Sequence, residues 1–265
     1  MFQSVIQPGI VSLFSSTGSD SLALFSSNTD PALPSDSFIC LLNDATSEPS
    51  PPPPQTLIKP PTLSAGGPDN DENNEGHTLA QTVLHIQSPT LPTTFIRCPP
   101  SGSSTSLGLK HPWIHIQVRN MGREWSFEVG VVDRAGREGV IRCSTFQREP
   151  TLKHTKPPLL HLPFTFPPSS SHLLTGWSTI DLNLPSLLPH FSSTSLLESS
   201  TKDADDDETN ERPALPRVTS AQVPSGTYSH VSYVKVYATC RLRRIWFSEA
   251  GPKQELPWEF QLFSS

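Results

Sequence analysis

The sequence predicts an all-β chain: an antiparallel sandwich or jelly roll, at most one short helix, and two long disordered insertions. Three observations predict it. Outside two acidic stretches, apolar and polar residues alternate with a period of two. Pro, Gly and Ser punctuate these runs at short intervals, and the 265 residues include 29 prolines. Helical periodicity is nearly missing.

The strands follow in order. Runs at 10–14 and 22–25 open the chain. A third, Phe38-Ile-Cys-Leu-Leu42, sits inside an otherwise polar stretch and is a short strand that could belong to the body. Runs at 82–87 and 94–97 come next. In Trp113-Ile-His-Ile-Gln-Val-Arg119, Ile114, Ile116 and Val118 take one face, and Trp113, His115, Gln117 and Arg119 the other. Asn120-Met-Gly-Arg123 reads as a turn. The following run, 124–132, puts Trp125, Phe127, Val129 and Val131 on one side, so the pair is expected to form a hairpin. Asp133-Arg-Ala-Gly136 is a second turn, leading into a strand at 139–145. Further strands are expected at 159–166, 177–182, 232–239 and 241–247. The last breaks strict alternation, which a bulge or burial on both faces would explain. The one helix candidate lies near 184–191, started by Pro185 and limited by Pro189.

Charge is unevenly spread. The formal net charge is −6, but residues 28–78 hold eight acids against Lys59, and residues 192–226 hold seven acids against three bases. The rest carries five more bases than acids. Pro51 to Pro54 favour polyproline II, and the run Asp203-Ala-Asp-Asp-Asp-Glu208 repels itself. Neither insertion holds enough apolar surface to offset its ordering entropy. The expectation is one domain over 1–265, a mildly basic body interrupted by acidic low-complexity insertions at about 28–78 and 192–226.

Several chemistries are excluded. Cys40, Cys98, Cys143 and Cys240 are far apart without a C-x-x-C pair, so buried free thiols of an intracellular protein are expected rather than a zinc site. His111 and His115 flank Pro112 at the start of a strand and do not form a metal pair. His154, His161, His172 and His190 are expected to be solvent-exposed. No nucleophile elbow, Walker loop, dinucleotide fingerprint or zincin motif occurs. No metal, cofactor, catalytic residue or small-molecule substrate is expected. The N-terminus lacks a basic, apolar leader, and no run nears the roughly 18 apolar residues of a membrane span. Cytoplasm or nucleus is therefore expected.

In order along the chain stand Gln7-Pro-Gly-Ile-Val-Ser-Leu-Phe14 with Gly18-Ser19, Thr93-Thr-Phe-Ile-Arg-Cys-Pro99 and Leu107-Gly-Leu-Lys-His-Pro112. Phe127-Glu-Val129 with Val132-Asp133, and Gly176-Trp177 with Ile180 and Asn183-Leu184, follow. Cys240-Arg-Leu-Arg-Arg-Ile-Trp-Phe-Ser248 and Glu255-Leu-Pro-Trp-Glu-Phe260 close the series. In these blocks the chain resembles the cilia- and flagella-associated protein 20 family, the basal-body Bug22-like proteins. The resemblance implies a jelly-roll sandwich without enzymatic activity. It also implies a structural protein of the axoneme and basal body that contacts tubulin at the inner junction of doublet microtubules and supports ciliary motility and assembly. Some family members are associated with the nucleus. The chain departs from the family in its acidic balance, in its two insertions, and where Arg137-Glu-Gly-Val-Ile-Arg142 replaces a run of arginines. Two other readings stand beside it. One is a carbohydrate-binding module, from Trp113, Trp125, Trp177, Trp246 and Trp258. The other is a nuclear scaffold or nucleic-acid-associated protein in a lineage without cilia.

The candidate partner-binding residues are bases. Lys110, Arg119, Arg123, Arg134, Arg137 and Arg142, with Arg148, are expected on the surface around the hairpin tips. Arg241, Arg243 and Arg244 admit two roles. They could reach a polyanion such as acidic tubulin, or pack internally and pair with Glu255, Glu259 or Asp181.

Overall fold

The computed structural model describes residues 6–49, 81–102, 106–167, 176–196 and 223–262. Its strands are β1 (Ile10–Ser15), β2 (Ser26–Asn28), β3 (Phe38–Asn43), β4 (Thr82–Gln87), β5 (Phe95–Cys98), β6 (Trp113–Asn120) and β7 (Ser126–Asp133). Then come β8 (Glu138–Ser144), β9 (Thr151–Lys153), β10 (Leu159–Pro163), β11 (Trp177–Asn183), β12 (Tyr228–Tyr237) and β13 (Cys240–Ser248). The one helix, α1 (Leu184–Leu187), is capped by the Asn183 side chain, which accepts from the Ser186 amide. A 3-10 turn over Leu188–Ser192 continues it.

Two sheets form a sandwich. The first runs β11-β6-β13-β4-β3, with β1 added to β13; the second runs β2-β5-β12-β7-β8-β10-β9. Every strand pair is antiparallel except β8 and β10, which are parallel. The core lies between the sheets. Ile114, Ile116 and Val118 of β6, with Leu242 and Ile245 of β13, pack in one cluster with Phe127, Val129 and Val131 of β7 and Val234 and Val236 of β12. Trp125 and Phe247 are fully enclosed in the same cluster. Each such side chain stabilises the fold by about 1.5–3 kcal/mol over its exposed state.

Several expectations are corrected. β6 and β7 are not a hairpin: β6 pairs with β11 and β13, and β7 with β12 and β8. The Asn120–Arg123 connection arches from one sheet to the other. Alternation specifies which side of each strand is buried, and two apolar faces can be buried equally well side by side or face to face. The Asp133–Gly136 turn does join a hairpin, β7 to β8. Residues 22–25 form turns, and the neighbouring strand is Ser26–Asn28.

The insertions are shorter than the composition implied. Residues 28–49 are part of the fold: β3 pairs with β4 along its length, and Asp30, Ser37, Leu42 and Asp44 are buried. Asp30 and Asp44 serve internal hydrogen bonds, which a charge tally does not register. Asp30 accepts from Thr90 and Thr93, and the Thr90 bond leads in holding its carboxyl below the usual range. At the borders of the second expected insertion, Thr194–Leu196 form a 3-10 turn and Val223 is buried. The stretches 50–80 and 197–222, with His172, lie outside the described residues.

Candidate functional site

β13 is buried along its whole length, and this decides where its arginines go. On the outward side of the first sheet, Trp177, Arg119, Arg241, His85 and Cys40 stand in one row across β11, β6, β13, β4 and β3. Asp44, just past β3, folds over that row. Its Oδ1 accepts from Arg241 Nη1 at 2.8 Å and Arg119 Nη1 at 3.0 Å, and its Oδ2 from Trp177 Nε1 at 2.8 Å. Arg241 also donates to the Asp44 carbonyl and to Ser47 Oγ. The Asp44 carboxylate is wholly enclosed, so these charge-assisted bonds act in a low dielectric.

Arg243 occupies a register shift of β13 against β6, between Leu242 and Arg244. There it donates to Gln117 Oε1 at 2.6 Å, the Glu259 carbonyl at 2.8 Å and Gln81 Oε1 at 3.0 Å. Burial, then the neighbouring Arg244 charge, pulls its pKa down to about 10, which still leaves it protonated at neutral pH. The Arg244 guanidinium lies 4.3 Å over the Phe260 ring. These bonds hold the segment around Trp258–Phe260 across the first sheet. Arg241, Arg243 and Arg244 therefore stand less than a tenth exposed, with partners inside the fold. The carboxylate that meets Arg241 is Asp44, not Glu255, Glu259 or Asp181; Glu259 contributes its backbone carbonyl to Arg243.

The same face holds a serine–histidine–aspartate chain that the sequence reading missed. Ser248 Oγ lies 2.8 Å from His115 Nε2, and His115 Nδ1 lies 2.5 Å from Asp181 Oδ1. The imidazole stacks on Trp246, with ring centroids 4.8 Å apart. These are the roles of a nucleophilic triad by atom type, but Ser248 is fully enclosed and its oxygen already accepts the Gly251 amide. The Trp113 indole closes over Gly251, where even a Cβ would meet it at 2.5 Å. In this fold the chain anchors the turn after β13. Ser248→Ala is expected to cost about 1–3 kcal/mol by leaving buried polar groups unpaired, read from urea unfolding; an unchanged midpoint would show that the anchor contributes nothing.

The second sheet presents a different outward face. One row crosses its whole width: Ser26, Arg97, Lys235, Glu128, Arg142, His161 and Thr151, on β2, β5, β12, β7, β8, β10 and β9. Their strand neighbours Ile96, Val234, Val236, Phe127, Val129, Ile141 and Leu160 point into the core. Glu128 is the hub. It accepts two bonds from Arg142, one from Tyr237 at 2.9 Å and one from Tyr233 at 3.2 Å. Lys235 Nζ sits 3.7 Å from the Phe95 centroid and 4.3 Å from that of Tyr237. The Arg97 guanidinium lies 4.5 Å over Tyr233, whose ring closes over Gly130, where a Cβ would meet it at 2.5 Å. Burial lowers the Lys235 pKa, an effect that Glu128 opposes and Arg142 and Arg97 reinforce. The row thus holds three fixed cations around one carboxylate.

His161, expected on the surface, is buried in this row, with Nε2 2.5 Å from Ser144 Oγ. Arg97, Lys235 and their aromatic neighbours were not among the candidate residues. The signal was available, because Phe95-Ile-Arg97 and Tyr233-Val-Lys-Val-Tyr237 alternate core residues with cations and aromatics.

The remaining candidate bases do not form one cluster. Lys110 is exposed beside His230, whose pKa it depresses after burial does so, and Arg134 and Arg137 lie at that same end, past β7. Arg123 and Arg148 are exposed at the opposite end, an eight-residue strand away, or roughly 25 Å. Arg119, Arg137 and Arg142 are already paired with Asp44, Asp133 and Glu128. Burial works against the Asp133 carboxyl, but the Arg137 and Gly226 hydrogen bonds outweigh it and hold its pKa low.

Trp125, Trp177 and Trp246 are buried and Trp113 is packed on Gly251, leaving only Trp258 largely exposed. A sugar-stacking platform of neighbouring indoles is not formed. The four cysteines are free, and Cys98, Cys143 and Cys240 are buried. Among the described residues no cluster of three or more His, Cys, Asp or Glu could hold a metal, and no helix is long and apolar enough to cross a membrane.

Residues 72–200 match the family model of the CFA20 domain. Over 186 residues the chain is 27% identical to cilia- and flagella-associated protein 20 of Chlamydomonas reinhardtii, covering 70% of this chain and 75% of that protein. It is 26% identical to the protein of that name in Paramecium tetraurelia, with the same coverage. To that of Caenorhabditis elegans it is 25% identical over 70% of each chain.

Proposed function

We propose, from its similarity to cilia- and flagella-associated protein 20 of several organisms, that this chain is a non-enzymatic structural protein of the cilium or flagellum. In this reading it belongs to the axoneme and basal body and binds tubulin at the inner junction of doublet microtubules. The similarity along 186 residues carries the reading. The acids at 30, 44, 128 and 133 are engaged inside the fold, while others such as Glu124 and Glu138 are exposed alongside the surface bases. The exposed cations Lys110, Arg123 and Arg134 are free to meet an acidic partner, and Arg119, Arg137 and Arg142 could meet it while still ion-paired. Arg241, Arg243 and Arg244 contribute by holding the sheet rather than by touching the partner.

Complementary charge speeds encounter and is weakened by salt. The purified full chain is therefore expected to pellet with microtubules at about 50 mM salt and to stay in the supernatant at about 300 mM, beyond the range where surface charges act over long distances. Failure to pellet at the lower salt would remove tubulin as the partner.

A further inference from the structure

We propose that the outward face of the second sheet is a docking surface for an extended acidic polypeptide segment, gripped by Arg97 and Lys235 with Phe95 and Tyr233 as its floor. The inference deepens the partner-binding reading above by naming a face and a partner chemistry. The two sheets differ in what covers them. The first sheet's outer row is closed by Asp44 and by the segment ending at Phe260. Over the second sheet's row, Arg97, Lys235, Phe95 and Tyr233 all remain partly exposed.

Charge complementarity selects the occupant. Glu128 is committed to Arg142 and to two tyrosine hydroxyls. Arg97 donates to the neutral Ser101 hydroxyl at 3.0 Å, and among the described residues neither Arg97 nor Lys235 has a carboxylate within ion-pair distance. The two cations are cross-strand partners on β5 and β12, so their backbones stand about 4.8 Å apart. Their heads lean in opposite directions along the strands, Arg97 over Tyr233 and Lys235 over Phe95 and Tyr237, so successive carboxylates of an extended segment meet one cation each. Each cation is held against aromatic rings, so its side chain is already ordered and partly stripped of water. A carboxylate that binds there replaces missing hydration at little further entropic cost. The partly exposed Phe95 and Tyr233 rings offer apolar contact to an extended chain, while its carboxylates set the register.

The test uses the full chain and a fluorescent twelve-residue peptide of alternating Glu and Gly, followed by anisotropy at low salt. Binding is expected, with Arg97→Ala and Lys235→Ala each weakening it about tenfold, the range of one hydrogen bond between charged groups. Lys253→Ala, an exposed base on the segment covering the first sheet, should leave binding within twofold. Lys235→Gln and Arg97→Gln, which keep the stem packing, guard against loss of fold and should weaken binding as much as the alanines. Equal weakening by Lys253→Ala, or no weakening by the Arg97 and Lys235 variants, overturns the proposal. So does tighter binding of a single-stranded oligonucleotide that depends on the same two residues. The outcome separates from the tubulin reading. Microtubules that pellet equally with Arg97→Ala would leave that reading intact and remove this face, whereas peptide binding without microtubule pelleting would do the reverse.

Discussion

Asp44→Ala is expected to lower the stability of this protein by about 3–5 kcal/mol, the cost of leaving a buried cation without its counter-charge. Asp44 is a single carboxylate with three side-chain donors, Arg241, Arg119 and Trp177, each from a different strand. Removing it strands Arg241 below a tenth exposure and opens the edge of the first sheet, where β3 is the last strand. Urea unfolding should show a lower midpoint with an unchanged slope, the signature of lost stability without a change in exposed area. The double variant Asp44→Ala with Arg241→Met tests the cause. A neutral stem of similar shape should recover much of the loss, because the penalty lies in the unpaired charge. A loss below about 1 kcal/mol in the single variant, as at a solvated surface pair, would mean that water reaches Arg241 and that this ion pair does not hold the face together.

Glu128→Ala should cost about 2–3 kcal/mol, less than Asp44→Ala because Arg142 is a third exposed and can turn to solvent. The same change should strengthen binding of acidic ligands, since the row loses its only carboxylate. Glu128→Gln supplies a titration test. Burial is the main cause of the raised Tyr233 and Tyr237 pKa values, and the Glu128 charge and hydrogen bond raise them further. Neutralising the carboxylate removes that second contribution, so both phenols should ionise at lower pH in the variant. Ultraviolet absorbance of tyrosinate would record the shift. Titration curves that superimpose would show that Glu128 does not face these rings in solution.

The two expectations rest on residues of opposite legibility. Glu128 was visible as a polar position within an alternating strand, because period two assigns it to the face opposite Phe127 and Val129. Asp44 was not visible at all. It closes a hydrogen bond to Arg241 across 197 residues of sequence, and composition placed it among solvated acids. The arginines of β13 stood between these cases. Their apolar neighbours implied packed stems, and the break in alternation anticipated the register shift at Arg243. Which acceptors they meet depends on β6, on Gln81 and on a carbonyl beyond β13, and local pattern carries no information about those.

The functional faces divide in the same way. Short-range chemistry in the chain was enough to determine an all-β body, most strand positions and the buried sides of β6 and β7. Those features follow from alternation, turn residues and side-chain type, which act over a few residues. Tertiary structure alone decided that β6 and β7 lie in different sheets, that Asp44 closes over one outer face while Arg97 and Lys235 stay partly exposed on the other, and that His115, Asp181 and Ser248 meet. Strand order across a sheet is set by which distant edges find complementary partners, so residues far apart in sequence become neighbours only after the two layers have closed.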